Sequence, residues 1–313
     1  MSDFWHGANV LVTGGAGFLG RHVVRELAAR GCRSLHIPRS RDFDLTDESD
    51  VSRMYDQHDL DVVIHLAATC GGIGANRAQP GKFFRDNILM GVHVIHGALL
   101  ARARKVVVVG TVCAYPKHCP VPFREEDLWN GYPEETNAPY GIAKKALLVM
   151  AQAYRDEYDL NAIYLLPVNL YGPEDNFDLE TSHVIPAMIR KMVQARRTHA
   201  QSVTLWGDGT PSREFLYVED CAKGIVDAAE RYDSGEPVNL GAGREITMRD
   251  LAGTIARTTR YGGEIAWDST QPNGQPRRCL STTRALERFG WRASTQLDDG
   301  LRRTVEWYEG QGL

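Results

Sequence analysis

Short apolar runs alternate with longer amphipathic stretches through the first half of the chain. The apolar runs predict β-strands at residues 10–13, 34–37, 62–65, 105–109 and 162–166. Between these runs, apolar residues recur at helical spacing and predict helices at residues 17–30, 47–58, 82–101 and 140–158. Helices between strands are the crossover connections that parallel strands require. The alternation therefore predicts an α/β protein built on a doubly wound parallel sheet.

The pattern changes in the second half, where the apolar runs become shorter and less regular. Glycine-containing turns at residues 207–209 and 241–243 separate short strand and helix candidates. Residues 116–139 contain five prolines, so this segment is expected to be an ordered loop beside the sheet rather than a long helix. We expect a Rossmann domain at residues 1–172, with about 214–235, and a smaller, partly interleaved α/β domain at residues 173–213 and 236–313.

Composition and charge narrow the class of function. The chain is 43% apolar and 24% charged, as in globular enzymes, and no run of about 18 apolar residues predicts a membrane span. A formal net charge of -4 without a clustered basic stripe gives no electrostatic footprint for nucleic acid. The N-terminus has no secretory pattern, and the six scattered cysteines predict free thiols. We therefore expect a cytoplasmic protein with a small-molecule partner.

A glycine-rich turn follows the first predicted strand. Gly14, Gly17 and Gly20 have the spacing GxxGxxG at the start of the first predicted helix. Glycines at such a turn let the backbone approach a pyrophosphate, and the helix N-terminus attracts the negative charge. The strand before this turn and the amphipathic helix after it favour dinucleotide binding over a simple turn.

The residues after the second predicted strand indicate which dinucleotide is bound. An acidic side chain there accepts hydrogen bonds from ribose hydroxyls, whereas a basic one pairs with a 2′-phosphate. This chain has Pro38-Arg39-Ser40-Arg41, with two arginines and no carboxylate. The arginines favour NADP, although a solvated surface pair is the alternative interpretation. We expect NADPH to be the cofactor.

A tyrosine and a lysine are the main candidates for acid–base catalysis. Tyr140 and Lys144 lie four residues apart at the start of a predicted helix, so both project from one face. An ammonium beside a phenol is expected to lower the pKa of the phenol and suit it to proton exchange with a carbonyl oxygen. Thr111 follows the fourth predicted strand, at the sheet edge where doubly wound proteins bind ligands. The alternative is a structural helix start with a surface lysine.

Three metal-type ligands are close in the sequence. Cys113, His118 and Cys119 have no second ligand pair at zinc-like spacing, and Cys119 is followed by a proline in a loop. We therefore expect no metal site.

These features resemble the extended short-chain dehydrogenase/reductase family over the whole chain. They are the glycine turn, the sequence His65-Leu66-Ala67-Ala68, Asn87, Thr111 and the Tyr140/Lys144 pair. Within that family, the closer resemblance is to the fucose synthases, which epimerise and reduce GDP-4-keto-6-deoxy sugars. It rests on six motifs in order, at residues 70–76 (CGGIGAN), 113–117 (CAYPK), 139–144 (PYGIAK), 167–173 (PVNLYGP), 182–187 (SHVIPA) and 206–215 (WGDGTPSREF).

The resemblance implies distinct roles for the catalytic candidates. In fucose synthases, the residues that match Cys113 and His183 act as base and acid at C3 and C5 of the keto sugar. Ordinary thiols and imidazoles have pKa values of about 8.5 and 6.5, on either side of neutral pH. Taken alone, a cysteine such as Cys113 is more often a buried apolar filler, and a histidine such as His183 is more often a satisfied loop residue. NADPH would supply hydride to C4 while Tyr140 protonates the oxygen. The predicted catalytic residues are Thr111, Cys113, Tyr140, Lys144 and His183.

The resemblance also implies which residues surround the two ligands. The expected cofactor contacts are Gly14, Gly17, Phe18, Leu19, Arg39, Arg41, Asp44, Leu45, Leu66, Ala67, Ala68, Asn87, Tyr140, Lys144, Pro167, Asn169, Leu170 and His183. The expected contacts to a GDP-linked 4-keto sugar are Asn169, Lys191, Trp206, Arg213 and Arg278. The three cations among them are expected near the diphosphate.

Two predicted helices carry wide apolar stripes. The stripe residues are Phe84, Ile88, Ile95 and Leu99 on one helix and Leu147, Met150 and Tyr154 on the other. Such stripes can be buried against the sheet alone, but related reductases pair these helices across a two-fold axis. We expect a homodimer joined through a four-helix bundle.

The sequence departs from fucose synthases at several positions. Thr111 stands where serine is usual, Ala16 and Lys191 stand where arginine occurs in the family, and Ser281 replaces a common aspartate. These changes leave the sugar open between a deoxyhexose and a heptose analogue. Two other functions also stay open. They are a nucleotide-sugar 4-epimerase with tightly held NAD, which does not need Cys113, and a non-catalytic NADP-sensing regulator on the same fold.

Overall fold

The computed structural model describes residues 4–271 and 275–312, which form three β-sheets and the helices around them. The strands are β1 (Asn9–Thr13), β2 (Ser34–His36), β3 (Val62–His65), β4 (Lys105–Val109), β5 (Ala162–Pro167), β6 (Asn169–Tyr171), β7 (Ser202–Trp206), β8 (Ser212–Tyr217), β9 (Val238–Leu240), β10 (Glu245–Thr247) and β11 (Glu264–Asp268). The helices are α1 (Phe18–Arg30), α2 (Glu48–Asp56), α3 (Ile73–Ala78), α4 (Pro80–Leu100), α5 (Ala138–Tyr158), α6 (Val184–Arg197), α7 (Val218–Arg231), α8 (Met248–Thr259), α9 (Thr283–Phe289) and α10 (Leu297–Gly310). Short 3₁₀ helices lie at Val112–Ala114 and Glu125–Trp129.

The largest sheet has six parallel strands in the order β2–β1–β3–β4–β5–β9. Helices α4 and α5 pack together over β3, β4 and β5, while α7 packs on α1 and also contacts β4 and β5. The central strands are buried throughout, which is why they read as unbroken apolar runs. From β1 the chain steps outward in opposite directions, to β2 and β3, and such a reversal opens a crevice at the carboxyl ends. The predicted doubly wound α/β fold is confirmed.

A second, smaller body has its own core. Its sheets are β10–β8–β6 and the parallel pair β11–β7, and helices α6, α8 and α10 pack around them. Phe177 stacks on Tyr308 with ring centroids 4.4 Å apart, and Ile189 and Leu251 are fully buried. Helix α7 lies between parts of this body in sequence but packs in the first core, so the two bodies are interleaved along the chain.

The two cores divide the chain differently from the predicted domain boundary. β9 pairs with β5 in the large sheet, and Ala285, Phe289 and Trp291 pack in the same core. The first core therefore extends beyond residue 235, because β9 completes the sheet and α9 packs against it. The domain limits themselves stay a prediction.

The proline-rich segment at residues 116–139 lies beside the first core. Phe123 and Leu128 are buried there, and Phe123 forms a β-bridge with Leu280. The Tyr115 hydroxyl donates a hydrogen bond to Asn239 Oδ1 at 2.7 Å. These contacts tie the segment after β4 to β9 and hold it at the edge of the sheet that carries the candidate site.

The structure also bears on the predictions about disulfides, membrane-spanning helices and clusters of metal ligands. All six cysteines lie in the described residues and have free thiols. Within residues 4–271 and 275–312, no helix is both long enough and apolar enough to cross a bilayer. The same residues contain no cluster of three or more His, Cys, Asp or Glu side chains placed to hold a metal ion.

Candidate active site

The turn after β1 has a shape that depends on glycine. Gly14 has a φ of +70°, and a Cβ atom there would lie 2.7 Å from the backbone nitrogen of Ala67. A Cβ atom on Gly20 would lie 2.1 Å from the carbonyl oxygen of Gly14, so α1 packs directly on the turn. Gly17 precedes α1 and supplies no side-chain cap, which leaves the first helical amides available to an anion. The turn therefore fits the pyrophosphate of a dinucleotide.

The two arginines predicted to select NADP lie on the surface after β2. Arg39 and Arg41 are exposed, and Arg41 forms an open ion pair with Asp42 at 3.5 Å. Asp44 uses its carboxylate within its own turn, where Oδ1 accepts from the backbone nitrogen of Thr46 at 2.9 Å. The arginines can therefore reach an incoming phosphate without breaking a buried contact.

The remaining predicted cofactor residues follow the carboxyl ends of the large sheet. Asn87 holds the loop after β3, because its amide donates to Thr69 O at 2.8 Å and accepts from Thr69 N at 3.2 Å. His65, at the end of β3, shares a 2.8 Å hydrogen bond with Thr13 at the end of β1. These contacts fix the two loops that border the crevice. The other members of the group, buried or half-buried, are Phe18, Leu19, Leu45, Leu66, Ala67, Ala68, Pro167, Asn169 and Leu170.

Tyr140, Thr111 and Lys144 converge at the carboxyl end of β4. Helix α5 begins at Ala138, so Tyr140 and Lys144 lie in its first two turns, and the Tyr140 hydroxyl is hydrogen-bonded to Thr111. The Lys144 ammonium is fully buried and donates to the carbonyl oxygen of Val109 at 3.2 Å. Burial lowers the pKa of Lys144 to about 8.

The prediction that the pKa of Tyr140 is lowered is wrong for the protein without bound ligands. Burial raises the pKa of Tyr140 well above its ordinary value, and charge on Cys70 and Cys113 adds to the effect. The Lys144 ammonium donates to the carbonyl oxygen of Val109, and desolvation of the phenol is the largest cause of the shift at Tyr140. Tyr140 therefore keeps its proton at neutral pH and is suited to donate it.

Cys113 lies beside two arginines that the resemblance assigned to the nucleotide. The Arg278 Nη1 atom is 3.8 Å from Cys113 Sγ. Arg278 is 9% exposed, and Gln275 Oε1 accepts from its Nε and Nη2 atoms at 3.3 and 3.1 Å. Burial lowers the pKa of Arg213 to about 10, with the Arg278 charge adding to the shift and Cys113 opposing it. The structure therefore brings Cys113, Arg213 and Arg278 together.

His183 occupies the position directly before α6. Its side chain is exposed, yet the surrounding protein removes enough water to lower the pKa of the imidazole. Its loop meets the loop at residues 70–76, since a Cβ atom on Gly72 would lie 3.6 Å from Ser182 O. Cys70 in that loop interacts electrostatically with Tyr140. His183 thus directly follows a residue that approaches the loop at residues 70–76, and its position beside the sugar, opposite Cys113, stays a prediction.

The other predicted substrate residues lie in the second body. Lys191 Nζ donates to Thr204 O on β7 at 3.0 Å, and burial lowers the pKa of this lysine. Trp206 ends β7, and its side chain is 63% exposed. The Asn169 amide donates to Glu214 O at 2.9 Å and ties β6 to β8. The indole is therefore accessible to a ligand, while Lys191 and Asn169 are engaged with backbone carbonyls.

Three supporting residues were missed by reasoning from the sequence. Gln275 holds Arg278, and the Tyr164 hydroxyl donates to the backbone oxygen of Lys144 at 2.7 Å. Cys70 lies within electrostatic range of Lys144 and Tyr140. Gln275 lies only three residues before Arg278, and this short spacing was the one sequence signal that could have indicated their contact. Cys70 begins the motif at residues 70–76 but was given no role, and nothing in the sequence marks Tyr164, because its partner Lys144 comes from another element.

Comparison with known proteins places these observations in a family. The sequence matches the NAD dependent epimerase/dehydratase family over residues 10–241. The chain belongs to this family. Among curated members, it is 39% identical to a GDP-L-fucose synthase of Sinorhizobium fredii, over 96% of this chain and 95% of that protein. It is also 39% identical to GDP-L-fucose synthase 1 of Arabidopsis thaliana, over 98% of this chain and 94% of that protein.

Solved structures of epimerase/dehydratase relatives share the fold over nearly the whole chain. A GDP-6-OMe-4-keto-L-xylo-heptose reductase from C. jejuni superposes with a TM-score of 0.91 at 25% identity, covering 97% of this chain and 98% of that one. A GDP-L-fucose synthetase from Naegleria fowleri, solved with NADP bound, gives a TM-score of 0.88 at 25% identity, covering 98% and 95%. The resemblance drawn from the sequence motifs is confirmed.

Proposed function

We propose that this protein is an NADPH-dependent epimerase/reductase that inverts C3 and C5 of a GDP-linked 4-keto-6-deoxy sugar and reduces C4. The observation that carries this function is the position of Cys113, in range of Tyr140 and in contact with Arg278. Carbonyl reduction needs the tyrosine and the lysine, whereas inversion beside the ketone calls for further protic groups. The similarity to GDP-L-fucose synthases over nearly the full length supports the same reaction.

The cofactor assignment is supported by the sheet edge and by a relative. The glycine turn and the uncapped start of α1 suit a pyrophosphate, and the exposed Arg39 and Arg41 suit a 2′-phosphate. The Naegleria fowleri relative was solved with NADP bound. When bound, NADPH supplies the hydride for the reduction, and the residues of the chain supply the rest.

Tyr140 provides the proton for the reduction. Its raised pKa keeps the phenol protonated near neutral pH, and the hydrogen bond to Thr111 orients its hydroxyl. Lys144, with a pKa of about 8, is mostly cationic near neutral pH. Its charge stabilises the phenolate that remains after the proton has moved to the C4 oxygen.

Cys113 and His183 exchange the protons at C3 and C5. These protons are acidic because the carbanion formed by losing one is delocalised onto the C4 ketone oxygen. Inversion requires one group to remove a proton and another to return it on the opposite face. Burial lowers the pKa of His183, so a proton held by its imidazolium is readily given up. The assignment of Cys113 as the group that removes the proton and His183 as the group that returns it follows the resemblance to the fucose synthases.

A substrate panel tests the proposal. With NADPH and GDP-4-keto-6-deoxymannose, the product should be inverted at C3 and C5 by NMR, with one NADPH consumed per product. NADH should support a slower reaction at equal concentration. Stoichiometric NAD in the purified protein, with no net NADPH consumption, would instead identify a nucleotide-sugar 4-epimerase.

A GDP-4-keto-heptose reductase is the second candidate. The TM-score of 0.91 to the C. jejuni heptose reductase favours it. The same panel separates the two functions, since a heptose enzyme should turn over GDP-4-keto-heptose faster than the deoxyhexose substrate. Reduction without inversion at C3 and C5 would also favour it.

We also propose a homodimer formed through α4 and α5. The stripe residues Ile95 and Leu147 are fully buried in the chain's own core, so they do not face a partner. The exposed apolar side chains on these two helices are Phe84, Leu100, Val149 and Tyr158. Exposed apolar groups on adjacent helices suit a two-fold, four-helix contact. A cytoplasmic location likewise stays a prediction.

A further inference from the structure

The guanidinium of Arg278 contacts the sulfur of Cys113, with Nη1 at 3.8 Å from Sγ. We propose that Arg278 is the counter-ion of the Cys113 thiolate and therefore a positioning residue for epimerisation. The inference rests on the proposed function, because it concerns the thiol that removes a sugar proton. From the sequence, Arg278 is expected to bind the diphosphate of the substrate. In this proposal, Arg278 also acts at the sulfur of Cys113.

The setting of Arg278 suits this role. The side chain is 9% exposed, and a buried cation is costly unless it is paired or well hydrogen-bonded. Its Nε and Nη2 atoms are bound by Gln275, a neutral amide, so these bonds orient the guanidinium without neutralising it. The remaining nitrogen, Nη1, is the one that faces the sulfur.

Arg213 is a second cation within electrostatic range of the Cys113 sulfur. Its Nη1 atom donates to Ser212 O at 2.8 Å and lies 3.5 Å from Pro276 O. The Arg278 charge disfavours the charge on Arg213, which shows that the two guanidinium groups are close. Two neighbouring cations both gain from an anion between or beside them, and a thiolate at Cys113 would provide one.

In the proposed step, the Cys113 thiolate is the base and Arg278 remains a cation throughout. The thiolate accepts the proton from C3 or C5, so an S–H bond forms, the C–H bond breaks and its electron pair moves to the ketone oxygen. Arg278 transfers no proton, because a guanidinium stays ionised at working pH. It favours the ionised sulfur and fixes its direction.

Alkylation of the free protein tests the proposal without any sugar. Iodoacetamide reacts with the thiolate, so the Arg278→Gln variant should label Cys113 about three- to tenfold more slowly near pH 7.5. Arg278→Lys keeps the charge and should recover part of the rate. Cys70, exposed in the same cleft, is quantified by mass spectrometry in the same samples as an internal reference. Its labelling should not change.

Arg277→Gln is the matched control, because Arg277 is the next residue but is exposed and pairs with Glu245. It should leave the labelling of Cys113 unchanged. Gln275→Ala serves as a second variant if Arg278→Gln does not fold, and it should also slow the labelling because Arg278 loses its support. Labelling of Cys113 at the wild-type rate in the folded variants would overturn the proposal, even if GDP then binds more weakly.

The substrate reaction supplies a second readout. Arg278→Gln should lower kcat for solvent-deuterium uptake at C3 and C5 more than it raises KM, with NADPH binding unchanged. Equal deuterium uptake in variant and wild type would count against the proposal. If the wild type turns over no 4-keto sugar while the labelling difference holds, the proposed function fails and the arginine–thiolate pair stands.

Discussion

The Cys113 thiol can be tested by a change of one atom. Cys113→Ser keeps the size of the side chain but replaces an ionisable thiol by a hydroxyl that stays protonated near neutral pH. We expect solvent-deuterium uptake at C3 and C5 to fall at least about 100-fold, with NADPH binding retained. Cys119→Ser is the control, since burial raises the pKa of that thiol to about 12 and leaves it unreactive. Uptake at the wild-type rate in Cys113→Ser would remove this residue from the mechanism.

Asp175 gives the protein a pH-dependent stability. It is 8% exposed, and its Oδ2 atom finds no hydrogen-bond partner among the described residues. Burial raises the pKa of this carboxyl from 3.8 to about 7. Between these values the folded chain holds a proton that the unfolded chain has released, so the free energy of unfolding falls as pH rises through this range.

Asp175→Asn should remove that dependence, because the amide has the same shape and no charge. Its stability relative to wild type should grow by up to about 3 kcal/mol between pH 5 and pH 8, as measured by thermal unfolding at both pH values. Asp178→Asn is the control, since a hydrogen bond from Thr181 lowers the pKa of Asp178 and keeps it ionised throughout. A constant difference between Asp175→Asn and wild type would contradict the prediction.

Residues whose roles are local could be predicted from the sequence. Tyr140 and Lys144 share a helix face at a spacing of four, and Thr111 follows a recognisable strand whose carboxyl end the doubly wound fold places at the ligand site. The Cys113–Arg278 contact joins residues 165 positions apart, and no periodicity reports such a pair. The direction of the Tyr140 shift was also beyond reach, because desolvation depends on how completely the folded chain covers the phenol.

At the scale of elements, the contact between the glycine turn and α1 is the part most sensitive to added bulk. Gly20→Ala would place a methyl group 2.1 Å from the Gly14 carbonyl oxygen, so the helix and the turn must separate. We expect NADPH to bind at least about tenfold more weakly, by fluorescence titration, because the amides at the start of α1 move with the helix. Gly81→Ala, where a Cβ atom meets nothing within 4 Å, should bind NADPH as wild type does. Equal affinity in Gly20→Ala would mean that the turn does not hold the pyrophosphate.

Elements of the first half were predictable to within a few residues. Buried parallel strands read as apolar runs, as at β3 and β4, and Gly110 directly follows the last residue of β4. Helix α4 begins at Pro80, two positions before the predicted start, because proline suits the first turn of a helix. The pairs β11–β7 and β8–β6 join short strands that are distant in sequence. The hydrophobic pattern of the second half therefore could not predict which residues pair in these sheets.

At the scale of the whole molecule, the outer face of α4 and α5 is the proposed dimer contact. Val149 is 48% exposed on α5, and a dimer through this face would bury it. Val149→Glu should weaken association at least about tenfold, because a carboxylate would lose its hydration in the contact. Sedimentation velocity at micromolar protein measures the change. Leu286→Glu, on α9 and 52% exposed, should leave the dimer intact. A wild-type protein that sediments as a monomer would contradict the assembly.

The last strand of the large sheet enters late in the chain, at Val238–Leu240. During synthesis, the edge of the preceding strand stays open until residues 238–240 have left the ribosome. An open edge offers unpaired amides and carbonyls to any other extended chain. Nascent or truncated products that lack this strand are therefore the species most exposed to aggregation.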